Sequence, residues 1–275
     1  MDRHSRITAS QSLANEYSAS ADAYARRWAP VIAPMARPIF GALPLTGTPT
    51  VLDVGAGTGA TLSYVRATAP AARIVGLDRA EGMLDVAKGK GWGAVAVADG
   101  QKLPARSDSV DVGLFVFVLF HFPDPVEALR EIRRTLRPDG RVGIVVWGTD
   151  PGVPGAKIWT EELDRKEAAP DPRQPSVVQV ATMNTPEKLT QLIQSSGLAV
   201  EKLWAETFSH PFKLEDLIKL QLGCGVASRR LPSLSAKRRA KCEARVRERI
   251  AAFTPEELEY KPEVLFAVAG SATTN

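Results

Sequence analysis

One short stretch limits the possible folds of this chain more than any other: an apolar run that ends in three closely spaced glycines. Residues 51–54 have the composition of a strand, and Gly55, Gly57 and Gly59 follow at intervals of two. Residues 60–68 are compatible with a helix. Strand, glycine turn and helix together form the opening of a nucleotide-binding βαβ unit. The glycines are needed because a ligand must lie against bare backbone, where a Cβ atom would push it away.

The spacing of the glycines distinguishes between ligands. A dinucleotide fingerprint reads G-x-G-x-x-G, but here the third glycine comes one residue earlier and Asp53 precedes the loop. The pyrophosphate of NAD needs the N–H groups at a helix N-terminus. S-adenosylmethionine has no phosphate, and the ammonium of its amino-acid end suits an acid such as Asp53. The motif D-x-G-x-G-x-G resembles the first motif of the class I S-adenosylmethionine-dependent methyltransferases.

The second predicted strand, residues 73–78, ends in a carboxylate. Asp78 lies 19 residues after Gly59, and a carboxylate at this strand end is placed to accept both ribose hydroxyls. The alternative interpretation is a solvated acid at a strand end. On a helix predicted over residues 80–88, Met83 lies near the loop, where its thioether could pack on adenine.

Later segments extend the pattern. A short strand over 94–98 ends in Asp-Gly, and the unbroken apolar run 112–119 is typical of a parallel strand covered on both faces. An N-cap at Asp124 begins a helix, and a turn leads to a strand over 142–147. Two further strands are predicted over residues 200–208 and 263–269.

The region from about residue 17 to 146 is similar to the ubiquinone-biosynthesis-like, small-molecule branch of these methyltransferases, and the remainder matches only in topology. The resemblance implies an α/β fold with a doubly wound, seven-stranded, mostly parallel, Rossmann-like sheet. Its last strand is antiparallel and lies between strands five and six. We expect a single domain over residues 1–275, an N-terminal cap helix over about 11–30, and helical lid insertions over about 149–183 and 209–262.

The resemblance also implies which residues bind the cofactor, S-adenosyl-L-methionine. Tyr24, the second tyrosine of a pair with Tyr17, would help to cover it; the alternative is that both tyrosines belong to an apolar stripe that packs one face of a helix on the core. The cofactor-binding residues implied are Tyr24, Asp53, Gly55, Ala56, Gly57, Gly59, Asp78, Arg79, Met83, Asp99, Gly100, Gln101, Phe115 and Val116.

His121 is the candidate catalytic residue. It lies just beyond the fourth strand, at the carboxyl edge where ligands bind in such sheets. A general base there would assist methyl transfer if the acceptor must lose a proton. The alternative is a histidine that only packs near Pro123 at the entry to the next helix.

Composition limits the partners. The formal net charge of +4 over 275 residues is not the profile of an obligate nucleic-acid binder. Cys224 and Cys242 lack metal-ligand spacing, so no metal site is predicted. No signal peptide is visible, and the longest apolar stretch, 110–122, is too short to span a bilayer. We therefore expect a cytoplasmic protein with a small-molecule substrate and no membrane partner.

All of the net positive charge lies in one stretch, residues 229–249, which has nine basic residues against two acidic ones, whereas the rest of the chain has more acidic than basic residues. Such a concentration could bind phosphates. However, apolar residues recur at helical spacing in and after it, and no aromatic residue is interleaved for base stacking. This pattern favours a solvated amphipathic helix, so no nucleic acid is favoured. The apolar residues are Cys242, Val246, Ile250 and Phe253.

Four functions remain open on the sequence. A small-molecule methyltransferase acting on oxygen, nitrogen or carbon is favoured. An RNA methyltransferase would use the basic stretch 229–249. A nicotinamide oxidoreductase is disfavoured by the loop spacing and the antiparallel last strand. A non-catalytic cofactor-binding module is the fourth, although the intact loop, Asp78 and Asp99 argue against a degenerate site.

Overall fold

The computed structural model describes residues 3–173 and 178–271. Within these residues the strands form a seven-stranded sheet and a separate two-stranded antiparallel sheet. The strands are β1 (Thr50–Val54), β2 (Arg73–Asp78), β3 (Val95–Val97), β4 (Val110–Val116), β5 (Leu136–Trp147), β6 (Leu198–Thr207), β7 (His210–Pro211), β8 (Glu259–Tyr260) and β9 (Glu263–Ser271).

The order of the large sheet is β3-β2-β1-β4-β5-β9-β6. The strands from β3 to β5 pair in parallel. The last strand, β9, pairs antiparallel with both β5 and β6. The predicted fold class is therefore confirmed, including the position of the antiparallel strand. From β1 the chain adds β2 and β3 on one side, and then returns to add β4 and β5 on the other side. This switch in strand order leaves a crevice at the carboxyl ends of β1 and β4.

Helices cover both faces of the sheet. They are α1 (Arg3–Arg27), α2 (Ala29–Ile32), α3 (Arg37–Phe40), α4 (Leu62–Thr68), α5 (Glu81–Gly89), α6 (Pro125–Thr135), α7 (Ala156–Arg165), α8 (Pro186–Ser195), α9 (Leu214–Cys224), α10 (Val226–Arg230) and α11 (Ala236–Ala251). The Asp124 side chain accepts a hydrogen bond from the Glu127 N–H at 3.0 Å, which is the predicted N-cap of α6.

The fourth strand ends earlier than the apolar run suggested. The prediction was 112–119, whereas β4 ends at Val116. Phe117 has a φ of +52°, which breaks the extended backbone, and a 3-10 helix follows over Leu119–His121. Hydrophobicity alone could not locate this end, because the residues beyond it remain buried.

The N-terminal helix and the two insertions form one helical layer. Helix α1 begins at Arg3, eight residues before the predicted start of about 11, and packs on α5 and α9. Helix α7 from the first insertion packs on α10 and α11 from the second. Residues 174–177, inside the first predicted lid segment, lie outside the described residues. No helix in the described ranges combines the length and apolar character needed to cross a membrane.

Candidate active site

A cavity lies at the carboxyl ends of β1, β2 and β4, between the sheet and α1. It contains about 850 Å³ of space outside protein atoms, part of it open to solvent. One side, which we call the sheet wall, is built by the strand ends and the start of α5. The sheet wall includes Gly55, Gly57, Asp78, Met83, Gly100 and Val116. The opposite side, the helical wall, is the face of α1 with Ser10, Leu13, Ala14, Tyr17 and Tyr24.

The three glycines of the loop all have positive φ, but each has a different environment. A Cβ on Gly57 would meet nothing closer than a carbonyl oxygen at 4.0 Å, so its backbone is open for a ligand to approach. A Cβ on Gly55 would lie 2.3 Å from the Val118 side chain. A Cβ on Gly59 would lie 2.6 Å from Trp92, so this glycine packs on protein rather than on the cavity.

Asp78 joins the glycine loop to β2 and faces the cavity. Its two carboxylate oxygens accept hydrogen bonds from the backbone N–H of Gly57 at 2.9 Å and of Ala80 at 2.8 Å. Burial raises the pKa of Asp78, and these backbone hydrogen bonds oppose the rise. Each oxygen keeps a second lone pair, so the carboxylate can accept ribose hydroxyls while it holds the loop.

Asp53 is fully buried beneath the loop and does not line the cavity. Its Oδ2 accepts a hydrogen bond from the Thr61 hydroxyl at 3.2 Å, whereas Oδ1 has no hydrogen-bond partner among the described residues. Burial raises the pKa of Asp53 to about 7, with Thr61 opposing and the charge of Asp78 adding to the rise. An unsatisfied buried acceptor is costly, and a ligand ammonium at the loop would supply a compensating charge.

The structure brings most, but not all, of the predicted cofactor residues together. Asp99 is held by an ion pair with Arg79 and by the Gln101 N–H, outside the cavity lining. Those that line the cavity are Tyr24, Gly55, Gly57, Asp78, Arg79, Met83, Gly100 and Val116, together with His121. Those outside its lining are Asp53, Ala56, Gly59, Asp99, Gln101 and Phe115.

His121 meets Tyr17 across the cavity. The Tyr17 hydroxyl and His121 Nε2 are 3.0 Å apart, although 104 residues separate them in sequence. The 3-10 turn after β4 places the histidine, and α1 places the tyrosine. The sequence indicated Tyr17 only as the first member of a tyrosine pair, and nothing in it predicted this contact.

Two arginines that the sequence analysis did not assign to the site act on Tyr17 through their charge. The Arg173 guanidinium lies 5.0 Å from the centre of the Tyr17 ring and donates to Glu16 at 3.0 Å. Arg229 on α10 donates two hydrogen bonds to Asp171, at 2.9 and 2.6 Å. No local sequence pattern could reveal them, since Glu16 and Arg173 are 157 residues apart.

Comparison with known proteins identifies the family that the chain resembles. Residues 52–144 match a family model described as a methyltransferase domain. A demethylmenaquinone methyltransferase of Corynebacterium kroppenstedtii is 33% identical over 156 residues, which cover 54% of this chain and 66% of that protein. An uncharacterised methyltransferase of Schizosaccharomyces pombe is 28% identical over 63% of this chain and 64% of its own length. The chain thus spans less than two thirds of either relative.

Solved structures show the same fold. A putative methyltransferase from Bacillus halodurans superposes with a TM-score of 0.54 and covers 86% of this chain and 99% of its own. Its sequence identity is 17%, so the likeness concerns the fold alone. The [4+2]-cyclase SpnF matches with a TM-score of 0.53 at 18% identity, covering 87% of this chain and 81% of its own. Because this fold serves more than one reaction, function must be argued from the cavity itself.

Proposed function

Since this chain belongs to the class I S-adenosylmethionine-dependent methyltransferases, we propose that it transfers the methyl group of that cofactor to a small-molecule acceptor. The observation that carries the proposal is the position of Asp78. Its carboxylate holds the Gly57 backbone and faces the cavity at the end of β2. That placement suits recognition of a ribose beside a loop with no side chains.

The residues of the sheet wall would bind and orient the cofactor. Gly57 leaves room for the amino-acid end, Asp78 accepts the ribose hydroxyls, and Met83 packs on the adenine. Bound there, S-adenosylmethionine supplies an electrophilic methyl group on a sulfonium. The protein's contribution is to align the acceptor with that methyl group, and such orientation can supply about 7–11 kcal/mol of the barrier.

The predicted cofactor-binding residues that do not line the cavity would act on the cofactor indirectly. Asp53 would balance the ammonium of the cofactor through its buried charge. The remaining residues would shape the loop and the base-binding edge through backbone and packing. These are Ala56, Gly59, Asp99, Gln101 and Phe115.

The position of α1 opposite the sheet wall supports a small acceptor. Tyr17 and Tyr24 of α1 cover the cavity opposite Gly55 and Asp78, so a large polymer would have to displace this helix. The Corynebacterium relative is named for demethylmenaquinone, itself a small molecule. We propose His121 as the base that receives the acceptor's proton, a role that contributes about 10²–10⁴-fold in known enzymes.

The test is calorimetric binding of S-adenosylhomocysteine and of NAD. We expect S-adenosylhomocysteine to bind and NAD not to bind. Asp78→Ala should weaken binding by about 10- to 150-fold, since it removes charge-assisted hydrogen bonds worth about 1.5–3 kcal/mol. Asp85→Ala is the matched control, because Asp85 is an exposed acid on α5 that pairs with Lys88. Wild-type affinity in Asp78→Ala, or tight binding of NAD, would contradict the proposal.

A further inference from the structure

We propose that Tyr17 is a catalytic residue that passes the acceptor's proton to His121, and that Arg173 positions it. This inference rests on the proposed methyl transfer and assigns the route of the proton within it. The hydroxyl that makes the hydrogen bond with His121 belongs to the wall opposite the sheet, so the reaction would require both walls.

The route of the proton follows from the ring nitrogen of His121 that faces Tyr17. Tyr17 and His121 both line the cavity, and the Tyr17 hydroxyl lies 3.0 Å from His121 Nε2. When the hydroxyl donates to Nε2, that nitrogen is the unprotonated one. Because the hydroxyl occupies the approach to Nε2, an acceptor's proton reaches this nitrogen through Tyr17.

Arg173 fixes the tyrosine from the far side of its ring. Its guanidinium stands 5.0 Å from the ring centre, and its Nε donates to Glu16, the residue before Tyr17. The backbone N–H of Arg173 in turn donates to Asp171, which Arg229 holds with two hydrogen bonds. The arginine therefore has its position set by the protein and is in place before any substrate arrives.

The charges around Tyr17 suit a relay rather than a permanent phenolate. Burial raises the pKa of Tyr17, so the resting hydroxyl keeps its proton. Arg173 and Arg229 act in the opposite direction and would stabilise negative charge that develops as the proton leaves. The other titratable and charged groups facing the ring or its arginines are Tyr24 and Glu16 on α1, Asp78 at the end of β2, His121, Asp171 and Cys224 on α9.

The step balances in atoms and charge. The acceptor's X–H proton moves to the Tyr17 oxygen while the Tyr17 proton moves to His121 Nε2. The freed electron pair on X forms the new bond to the methyl carbon. The sulfur–methyl bond breaks, its electron pair stays on sulfur, and the sulfonium becomes a neutral thioether. The imidazolium then releases one proton to solvent.

The first measurement is methyl transfer from labelled cofactor into the small-molecule fraction of a cell extract, with S-adenosylhomocysteine affinity measured in parallel. Tyr17→Phe should lower the rate at saturating cofactor by at least about 10²-fold while affinity stays within about threefold. Its pH–rate profile should also lose the limb that reports deprotonation of His121. Arg173→Gln should lower the rate about 2- to 30-fold. Tyr64→Phe, which removes a hydroxyl from a half-buried ring stacked on Phe40, is the matched control and should change neither quantity.

A second measurement needs no acceptor. Nitrogen-15 NMR of the S-adenosylhomocysteine complex should show His121 protonated at Nδ1, with a hydrogen-bonded Nε2 that changes in Tyr17→Phe. A protonated Nε2 in the neutral wild-type ring would overturn the relay. So would near-normal turnover in Tyr17→Phe with a raised cofactor KM, which would mean that Tyr17 only covers the cofactor. Failure of the wild type to bind S-adenosylhomocysteine would instead refute the proposed function, and the inference with it.

Discussion

The two walls of the cavity are made in different ways. The sheet wall uses backbone: glycines with positive φ, N–H groups held by Asp78, and strand ends from one continuous part of the chain. The helical wall uses side chains of α1, which Arg173 contacts from a distant segment, and Arg229 of α10 in turn holds Asp171 of that segment. In the proposed function, binding of the cofactor would depend on local backbone geometry, whereas contact with the acceptor would depend on side chains that only the fold assembles.

The basic residues of α11 lie at the outer surface of the helical layer, exposed or half-buried, whereas Arg229 and Arg230 at the start of the basic stretch are largely buried. Cys242, Val246 and Ile250 form the buried stripe of α11, as predicted, whereas Phe253, the fourth predicted member, lies beyond the end of this helix and is half-buried. Six acids from outside the stretch lie against its arginines, which reduces the local positive charge. The ion pairs are Arg229 with Asp171, Arg230 with Asp164, Arg238 with Glu167, Arg247 with Glu215, and Arg249 with both Glu161 and Glu162.

The largest expected effect concerns the backbone of the sheet wall. Gly55→Ala should lower the free energy of unfolding by about 2–5 kcal/mol for two reasons. The new Cβ would clash with Val118, and the alanine would have to keep the left-handed backbone of the glycine. Gly47→Ala is the matched control, since Gly47 has a φ of +67° but open space at its Cβ. Only the strain of about 1–2 kcal/mol should appear there. Equal losses in urea unfolding would show that Val118 does not constrain the loop.

The next largest effect concerns the support of the helical wall. Arg229→Ala should lower the free energy of unfolding by about 1.5–3 kcal/mol, because Asp171 would lose two charge-assisted hydrogen bonds in a partly buried site. Arg245→Ala removes an exposed pair within α11 and should cost about 0.5 kcal/mol or less. If both variants unfold at the same urea concentration, the Arg229 pair does not stabilise this wall.

A pH effect should separate the two walls. The folded pKa of Asp53 is about 7, above its ordinary value of 3.8, so the unliganded protein binds a proton there that the unfolded chain has lost. The contribution of Asp53 to the free energy of unfolding is therefore fully present below pH 4, and it falls as the pH rises toward 7. A cofactor ammonium favours the charged form, so S-adenosylhomocysteine affinity should rise by up to about tenfold per unit between pH 5.5 and 7.

The control for that effect is Asp53→Asn, which should flatten the dependence of affinity on pH. Calorimetry across the pH series measures both proteins. An unchanged slope in the variant would assign the pH dependence to another group, such as the neighbouring Asp78.

The smallest effect is expected on the outer surface. Changing Lys237, Arg238 and Lys241 together to Glu should alter small-molecule methyl transfer by less than about threefold, because surface substitutions typically change stability within about 0.5 kcal/mol. Bulk RNA should take no label from either protein. RNA labelling by the wild type that falls steeply with salt, and is lost in the triple variant, would instead favour the RNA methyltransferase.

The glycine spacing, the acid at the end of β2 and the buried run of β4 supported a family resemblance, and that resemblance implied the fold class and most of the sheet wall. These features are local, since strand composition and positive-φ glycines act over a few residues. The exact end of β4 was not predictable, because the turn at Phe117 is set by backbone geometry among uniformly apolar residues. The sequence also could not show that Gly59 packs on Trp92 instead of facing the ligand.

By itself, then, the sequence determined the fold class, the cofactor loop and the candidacy of His121. The tertiary structure alone decided that Tyr17 reaches His121 and that Arg173 lies over its ring. The physical reason is distance along the chain. Contacts between residues about 100 to 160 positions apart depend on how α1 and the insertions pack around the sheet, and no periodicity or spacing in the sequence encodes that packing.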